Sequence, residues 1–589
     1  MEFIAHNLAP IMFAGLICFL LVGFPVAFSL GACGLFFAFI GIELNVLPEA
    51  LLQALPLRIY GIMQNDTLLA IPFFTLMGLI LERSGMAEDL LDTIGQLFGP
   101  IRGGLALAVI FVGALLAATT GVVAASVISM GLISLPIMLR YGYDRRLAAG
   151  VIAASGTLAQ IIPPSLVLII IADQLGRSVG DMYKGAFLPG LMLTGFYASY
   201  VILLAVIKPQ WVPAMPPEAR TLREDNGKSG VPSLLVLTAI CTAASIYVAK
   251  NMPALHTWWS GEAVDKVALD ETIVVSMCFG VALAFVAARF NKIPRLGLLS
   301  RAAERVTFAL IPPLLLIFLV LGTIFLGVAT PTEGGAMGAL GAIIMAVIRG
   351  RLSMSLLKQA LNTTTKLSCF VVFILVGATI FGLTFQGVDG PLWVEHLLSG
   401  LPGGQLGFLI VVNIMVFFLA FFLDFFELSF IVVPLLAPVA DKLGIDLIWF
   451  GVLLAINMQT SFMHPPFGFA LFYLRSVAPA KEYMDKVTKK MIAPVTTTQI
   501  YWGAIPFLCI QILMVALVIT FPGIVSSGLD KAEVYDLDKV RLEMEANMPA
   551  SMEQADPTAG MPGSEAPAAE DDPLKAMQES LSQDAEKKN

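Results

Sequence analysis

The sequence predicts an all-α polytopic membrane protein made of two inverted repeats, each with a re-entrant helical hairpin and a broken helix. Three observations predict it. Of 589 residues 58% are hydrophobic and 13% charged, at a mean hydropathy of +0.85, so most of the chain must face membrane lipid or other apolar helices. Prolines and glycines recur in one register about 300 residues apart. The Lys and Arg content of corresponding loops reverses between the two copies.

The apolar runs are mostly 18 to 23 residues long. That length crosses a hydrocarbon core of roughly 30 Å at 1.5 Å per residue and selects helices over a barrel. Residues 1–42 lack a basic start and a small-residue cleavage pattern and hold two apolar runs, so they are expected to be spans and not a signal peptide.

A shift of 302 places lays Pro136, Gly142, Asp144, Pro163 and Pro164 on Pro438, Gly444, Asp446, Pro465 and Pro466 without a gap. At a shift of about 306, Pro25 falls on Pro331. Prolines and glycines are few in apolar helices, and each has a structural meaning there, so the shared register marks a repeat. The copies cover residues 3–175 and 308–477.

Because Lys and Arg accumulate on the cytoplasmic side, the loops orient the copies. Arg349 to Lys366 carries four basic and no acidic residues, whereas its counterpart Glu43 to Asp66 carries three acids and only Arg58. One step later the reverse holds: Arg140 to Arg146 has three basic residues against Asp144, and Asp441 to Asp446 has two acids against Lys442. The copies are therefore expected to be upside down relative to each other. The loop Glu82 to Arg102, net acidic where the map needs a cytoplasmic loop, is the poor fit.

On this map residues 105–139 begin and end inside and turn at Thr119-Thr120-Gly121, which makes a re-entrant hairpin. Residues 406–440 do the same from outside, turning at Leu423 to Glu427. Each hairpin is followed by a broken helix, 147–175 and 447–475. Residues 187–305 hold connecting helices and loops, and 491–523 form a last span. From 530 to 589 Pro, Ala, Glu, Asp and Ser dominate without an apolar period, so this tail reads as disordered; its acids supply much of the net charge of -8, and no nucleic-acid partner is expected.

The breaks carry the chemistry. "SGTLAQIIPPS", Ser155 to Ser165, and its counterpart "NMQTSFMHPPFG", Asn457 to Gly468, place Pro163-Pro164 and Pro465-Pro466 inside apolar spans. A proline pair removes donors and ends a half-helix. The freed carbonyls and amides survive only beside protein, water or an ion, and in secondary transporters such carbonyls coordinate Na+. A proline kink satisfied by neighbouring helices is the bland alternative for either site alone. Oxygen ligands near the first break are Thr119, Thr120, Ser155 and Thr157, with carbonyls near Gly121 and Gly156. Near the second they are Asn457, Gln459, Thr460 and Ser461. Any one hydroxyl has an ordinary alternative, a bond back to an earlier carbonyl. Of the rare intramembrane acids, Asp424, Glu427 and Glu333 each either meet a cation or a proton or cap a half-helix. His464 reads as a satisfied, packed histidine.

Other chemistries are absent. Gly227-Lys228-Ser229 has Leu222 where a phosphate-binding loop needs its first glycine. Four histidines and six scattered cysteines offer neither a zinc set nor a disulfide frame, so no transition metal, no cofactor and no enzyme activity are expected.

At these residues the sequence resembles the large membrane subunit of tripartite ATP-independent periplasmic (TRAP) transporters. The matching stretches are "LLAIPFFTLMGLILERSGM" from Leu68, "LISLPIMLRYGYD" from Leu132, "IAASGTLAQIIPPS" from Ile152, "GVATPTEGGAMGAL" from Gly327 and "FGVLLAINMQTSFMHPPFGFALFYLRSVAP" from Phe450. The likeness runs from about residue 3 to 522. It implies an elevator-type importer of the bacterial inner membrane, driven by Na+ and fed with a small organic anion, often a carboxylate, by a periplasmic binding protein. A small four-helix membrane subunit is expected as a separate chain. By motif match Thr119, Thr120, Gly121, Ser155, Gly156 and Thr157 form one sodium site, and Asp424, Asn457, Gln459 and Thr460 the other. Substrate lies between the hairpin tips, with Pro163, Pro164, Glu333, Glu427, Pro465 and Pro466 as substrate or gating positions. The family usually shows more serine and glycine than "TTGVV" at the first turn and a threonine at the place of His464. The alternative is a stand-alone Na+/anion symporter or ion antiporter of similar fold that needs no binding protein.

Overall fold

The computed structural model describes residues 2–221, 230–261, 267, 269–292, 299–485, 487–527 and 529. The acidic segment 530–589, expected to be disordered, lies outside them. Inside lipid a helix satisfies its own backbone. Among the described residues nine helices are long and apolar enough to cross a membrane, or eleven if each of two bent pairs counts as one span.

Helices α1 (Leu8–Val22) and α2 (Val26–Glu43) are divided by Gly23 in left-handed backbone and by Pro25, which fixes the entry to α2. After a bend come α3 (Ala70–Arg83) and the amphipathic α4 (Met86–Phe98). Helices α5 (Gly104–Thr120) and α6 (Val123–Arg140) form a hairpin about Gly121, whose φ of 57° lets the chain reverse. At its base the Leu105 N–H donates to the Tyr143 hydroxyl at 3.3 Å. Helix α7 (Arg145–Thr157) starts on the Asp144 carboxylate, which accepts from the N–H groups of Arg146 and Leu147. It ends in one 3-10 turn, Leu158–Gln160, followed by the proline pair and α8 (Leu166–Gln174). Helix α9 (Val179–Ile207) is continuous, so the sequence boundary at 187 falls inside it. Helices α10 (Val231–Lys250), α11 (Leu269–Lys292) and α12 (Arg301–Ile317) lead to the second half.

There the order recurs in α13 (Pro331–Ile348), α14 (Met354–Gly387), the hairpin α15 (Gly404–Leu419) and α16 (Phe425–Lys442), then α17 (Leu447–Gln459), a 3-10 turn at Thr460–Phe462, and α18 (Phe469–Val477). Helices α6 and α16, and α7 and α17, begin and end 302 residues apart. At the second hairpin's base the Gln405 side chain donates to the Leu443 carbonyl at 2.7 Å. The copies exchange partners: α2 packs on α14 as α13 packs on α3, and α8 packs on α16 as α18 packs on α6. Backbones nearly touch at the first crossing, where a Cβ on Gly377 would lie 2.4 Å from the Ala27 carbonyl oxygen and one on Gly34 2.9 Å from the Phe381 backbone.

The acidic loop 82–102 owes its charge to its neighbours. Asp89 pairs with Arg351 at 2.8 Å and Arg349 at 3.3 Å, and Asp92 with Arg305 at 2.9 Å. Helix α4 therefore lies beside the basic loop that begins at Arg349 and the start of α12, despite its acids.

The sequence placed a last span at 491–523, and the helix α19 runs from Thr497 to Thr520. Residues ahead of it form the one β-sheet among the described residues, a ribbon of β1 (Tyr483–Met484) and β2 (Met491–Ile492). Arg140, the last residue of α6, grips this ribbon. Its Nε donates to both Asp485 carboxylate oxygens at 3.0 and 3.1 Å, and Nη2 lies 2.9 Å from Oδ1. Thr488 adds its N–H and hydroxyl at 2.7 Å each. Burial raises the Asp485 carboxyl, but the bonds from Arg140 and Thr488 outweigh it and hold the group well below the usual carboxylate range.

A carboxyl so depressed adds stability above its unfolded pKa of about 3.9, and that stability is lost as pH falls through the lower folded value. Asp485→Asn is expected to remove roughly 2 kcal/mol, the scale of hydrogen bonds to a charged group. Thermal unfolding in detergent should show a lower midpoint for the variant at pH 7. The difference should persist down to about pH 4 and close only in stronger acid; equal midpoints at pH 7 contradict it.

Candidate functional site

Bare peptide groups in hydrocarbon cost several kcal/mol each, and both breaks deal with them in the same way. At the first, the N–H groups of Ile161 and Ile162 share the Leu158 carbonyl at 3.1 and 3.0 Å. The Ser165 hydroxyl donates to the Gln160 carbonyl at 2.5 Å and accepts from the Leu168 N–H at 3.4 Å, which caps α8. At the second, the Thr460 and Ser461 hydroxyls donate to the carbonyls of Asn457 and Met458, each at 2.6 Å, and the Gly468 N–H returns to the His464 carbonyl at 2.6 Å. Both proline pairs are joined by cis bonds. Hydroxyls that misfit an apolar helix thus serve its interruption.

Each hairpin clasps its broken helix. In the first copy α5 approaches through Gly113, where a Cβ would lie 2.6 Å from that of Ser155. Helix α6 approaches Gly156 so closely that a Cβ there would lie 2.4 Å from Val127 Cγ2 and 3.1 Å from the Val127 nitrogen. The tip at Gly121 rests on the far side of the break, where its Cβ would stand 3.5 Å from the Pro164 carbonyl oxygen. Thr119 and Thr120 end α5, and their side chains lie outside the described residues. Ser155 donates to the Ile152 carbonyl at 3.1 Å, a bond that leaves its lone pairs able to accept.

In the second copy Asn457 takes the place of Ser155, 302 residues earlier, and bonds the first arm. Its Nδ2 donates to the Asn413 carbonyl at 2.7 Å and side-chain oxygen at 3.0 Å. The tip carries a capping box: the Asp424 N–H donates to Glu427 Oε2 at 3.0 Å, and the Glu427 N–H to Asp424 Oδ1 at 3.1 Å. Glu427 is buried, and among the described residues neither acid has a salt-bridge partner.

The two breaks meet. Gln459 Nε2 donates to Thr157 Oγ1 at 3.1 Å across a separation of 302 residues, the register of the repeat. Thr157 also donates to the Ala154 carbonyl at 2.8 Å.

The remaining candidate residues divide. Pro163 and Pro164 are buried, whereas Pro465 is half-buried and Pro466 exposed. His464 is packed, its ring 4.3 Å from that of Phe421 and 4.2 Å from that of Phe417, but it is not satisfied: both ring nitrogens are buried without a hydrogen bond among the described residues. Glu333 lies apart. It is exposed in a capping box with Thr330 at the start of α13, beside Thr332, which donates to the Asp66 carbonyl at 2.6 Å. A cavity of about 910 Å³ lined by Asp89, Phe285, Arg305, Phe308 and Arg349 holds none of the residues named as candidates. Sequence reasoning missed Asn413, Tyr197 and Gln511, although a lone amide in an apolar span is itself a signal.

A family model described as the DctM component of the tripartite ATP-independent periplasmic transporter matches residues 13–261 and 268–524. The C4-dicarboxylate TRAP transporter large permease protein DctM of Rhodobacter capsulatus is 27% identical over 481 residues, 79% of this chain and 89% of that protein. The isethionate TRAP transporter permease protein DctMQ of Oleidesulfovibrio alaskensis is 26% identical over 82% of this chain, which spans 63% of that longer protein. The sialic acid TRAP transporter permease protein SiaT of Haemophilus influenzae is 23% identical over 78% of this chain and 59% of its own length. Among solved structures, the YdaH transporter of Alcanivorax borkumensis aligns over 80% of this chain and 88% of its own at 13% identity and a TM-score of 0.46.

The clasp on Gly156 gives a direct expectation. Gly156→Ala should destabilise by about 1–3 kcal/mol through overpacking against α6. Adding Val127→Ala removes the nearest clashing atom, so the double variant should unfold at a higher temperature than Gly156→Ala alone. Additive losses would show that α6 does not press on this glycine.

Proposed function

The chain belongs to the DctM component family of tripartite ATP-independent periplasmic transporters, and on that premise we propose a sodium-coupled importer whose two clasped breaks hold the coupling ions. It is a multi-pass inner-membrane transporter permease of a family that carries organic acids and normally works with a small membrane subunit and a periplasmic binding protein. What carries the ion reading is a single recurrence: a hairpin clasping a broken helix, twice, with the equivalent residues Thr157 and Gln459 in contact.

Na+ needs several oxygens and no deprotonation of its ligands. At the first site the Ser155 hydroxyl oxygen and carbonyls near Gly121 and Gly156 supply neutral ligands. At the second the Asn457 and Gln459 amide oxygens, the Thr460 hydroxyl and the Asp424 carboxylate add a charge. Two acids at one tip, without a salt-bridge partner among the described residues, favour a cation there, because a buried charge must be offset. The contact between equivalent residues and the exchange of packing partners support a two-fold relation between the copies. With the reversed loop charges, that relation supports hairpins that enter from opposite sides.

The packing supports an alternating-access reading. Helices α5 to α8 and α15 to α18 form one group around the breaks, while α2, α3, α13 and α14 pack against one another. We assign the first group to a moving unit and the second to its support, an elevator arrangement. An organic anion, in our reading a carboxylate released by the binding protein, sits between the hairpin tips. A separate small four-helix subunit braces the support.

In proteoliposomes, uptake should require both an inward Na+ gradient and the binding protein. Ser155→Ala and Asn457→Ala should each raise the half-saturating Na+ concentration roughly tenfold, about 1.4 kcal/mol of lost ligation. An equal response to a K+ gradient contradicts the ion assignment, and equal uptake without the binding protein points to a stand-alone symporter.

A further inference from the structure

Thr157 carries more than its own helix requires. A hydroxyl offers one proton and two lone pairs, and all are in use. The proton goes to the Ala154 carbonyl at 2.8 Å, and Oγ1 accepts from Gln459 Nε2 at 3.1 Å and Gln511 Nε2 at 3.5 Å. The second Gln511 N–H points to the Tyr197 hydroxyl at 2.9 Å. All four side chains are fully buried. Their positions in the chain give the network its interest. Thr157 ends the first broken helix and Gln459 the second, while Tyr197 in α9 and Gln511 in α19 belong to neither repeat.

Protein donors thus occupy the Thr157 oxygen, firmly from Gln459 and at the longer 3.5 Å from Gln511, and an ion could take it only if a glutamine withdrew. The Thr157 side chain is therefore structural in this state. The amide oxygens of Gln459 and Gln511 have no hydrogen-bond partner among the described residues, so the network places its amide donors on two hydroxyls and leaves two acceptors open. An apolar span would avoid that expense unless the donors had a task.

We propose that this network is a buried crossbar coupling the two ion sites, with Gln511 as its positioning residue. The proposal rests on the sodium reading above. Ser155 stands two residues before Thr157, and Asn457 two before Gln459. An ion bound at either position orders the end of its own broken helix. Through the bond between Thr157 and Gln459 it also orders the end of the other, so the second ion meets a site already fixed. Site-to-site coupling of this kind amounts to roughly fivefold or more in affinity. Gln511, held in turn by Tyr197, keeps Thr157 facing Gln459 and ties the pair to two helices outside the repeats.

The sodium dependence of uptake tests it, at fixed substrate and binding protein. Gln511→Leu keeps the volume and removes both donors. Its Hill coefficient should fall from about 2 toward 1 while the half-saturating Na+ concentration rises roughly fivefold. Tyr197→Phe removes the anchor and leaves Gln511 in place, so it should move both values the same way by less, and it carries the test if the leucine variant does not fold. A merely structural role would lower the folded yield and scale the maximal rate without changing the shape of the curve, and that result overturns the crossbar. A parent curve with a Hill coefficient of about 1 overturns it too, with the sodium reading intact. A parent protein indifferent to Na+ overturns both.

Discussion

A peptide group without water or helix partner costs several kcal/mol in hydrocarbon, and the core of this protein is arranged around two places where a helix is interrupted. Neither interruption is left open. Each is tightened into a single 3-10 turn, at Leu158–Gln160 and Thr460–Phe462, and the carbonyls that turn releases are met by Ser165, Thr460 and Ser461. The polar residues are there because the backbone needs them first. Only the oxygens left after that demand are free for other work, and hydroxyls that donate backwards are among them.

The frame is shared, but its two copies are chemically unlike. In the first, Gly113 lets α5 lie directly on Ser155, the proline pair is buried, and no acid stands at the tip. In the second, an asparagine pair replaces that close contact, the tip holds Asp424 and Glu427, and the break opens past Pro466 and Phe467, which is 48% exposed. One site is thus neutral and enclosed, the other acidic and partly open.

Much of this was legible in the sequence because prolines and glycines are scarce in apolar helices. Pro163-Pro164 and Pro465-Pro466 set the register, and the ends of α6, α7, α16 and α17 keep the same 302-residue spacing. Three features were not legible, for tertiary reasons. Gln511 lies outside both copies and matters only because α19 packs against α7 and brings it to Thr157. The acids of α4 contradicted the loop charges until Arg305, Arg349 and Arg351 were seen beside them. The ribbon at 483–492 has two residues per strand, too few for an alternating pattern, and is held by Arg140 from 345 residues away. Glu333 shows the opposite limit. Its place after Thr330-Pro331-Thr332 reads equally well as a cap or as a site, and the structure puts it in an exposed capping box.

The most direct measurement is the thermal unfolding midpoint of the purified protein in NaCl against KCl at equal ionic strength, for the parent and for Ser155→Ala with Asn457→Ala. If the broken helices leave oxygens that hold Na+, sodium alone raises the parent's midpoint, by mass action on the folded state, and the double variant loses that rise. Equal midpoints in the two salts, or an undiminished sodium effect in the variant, would contradict the account.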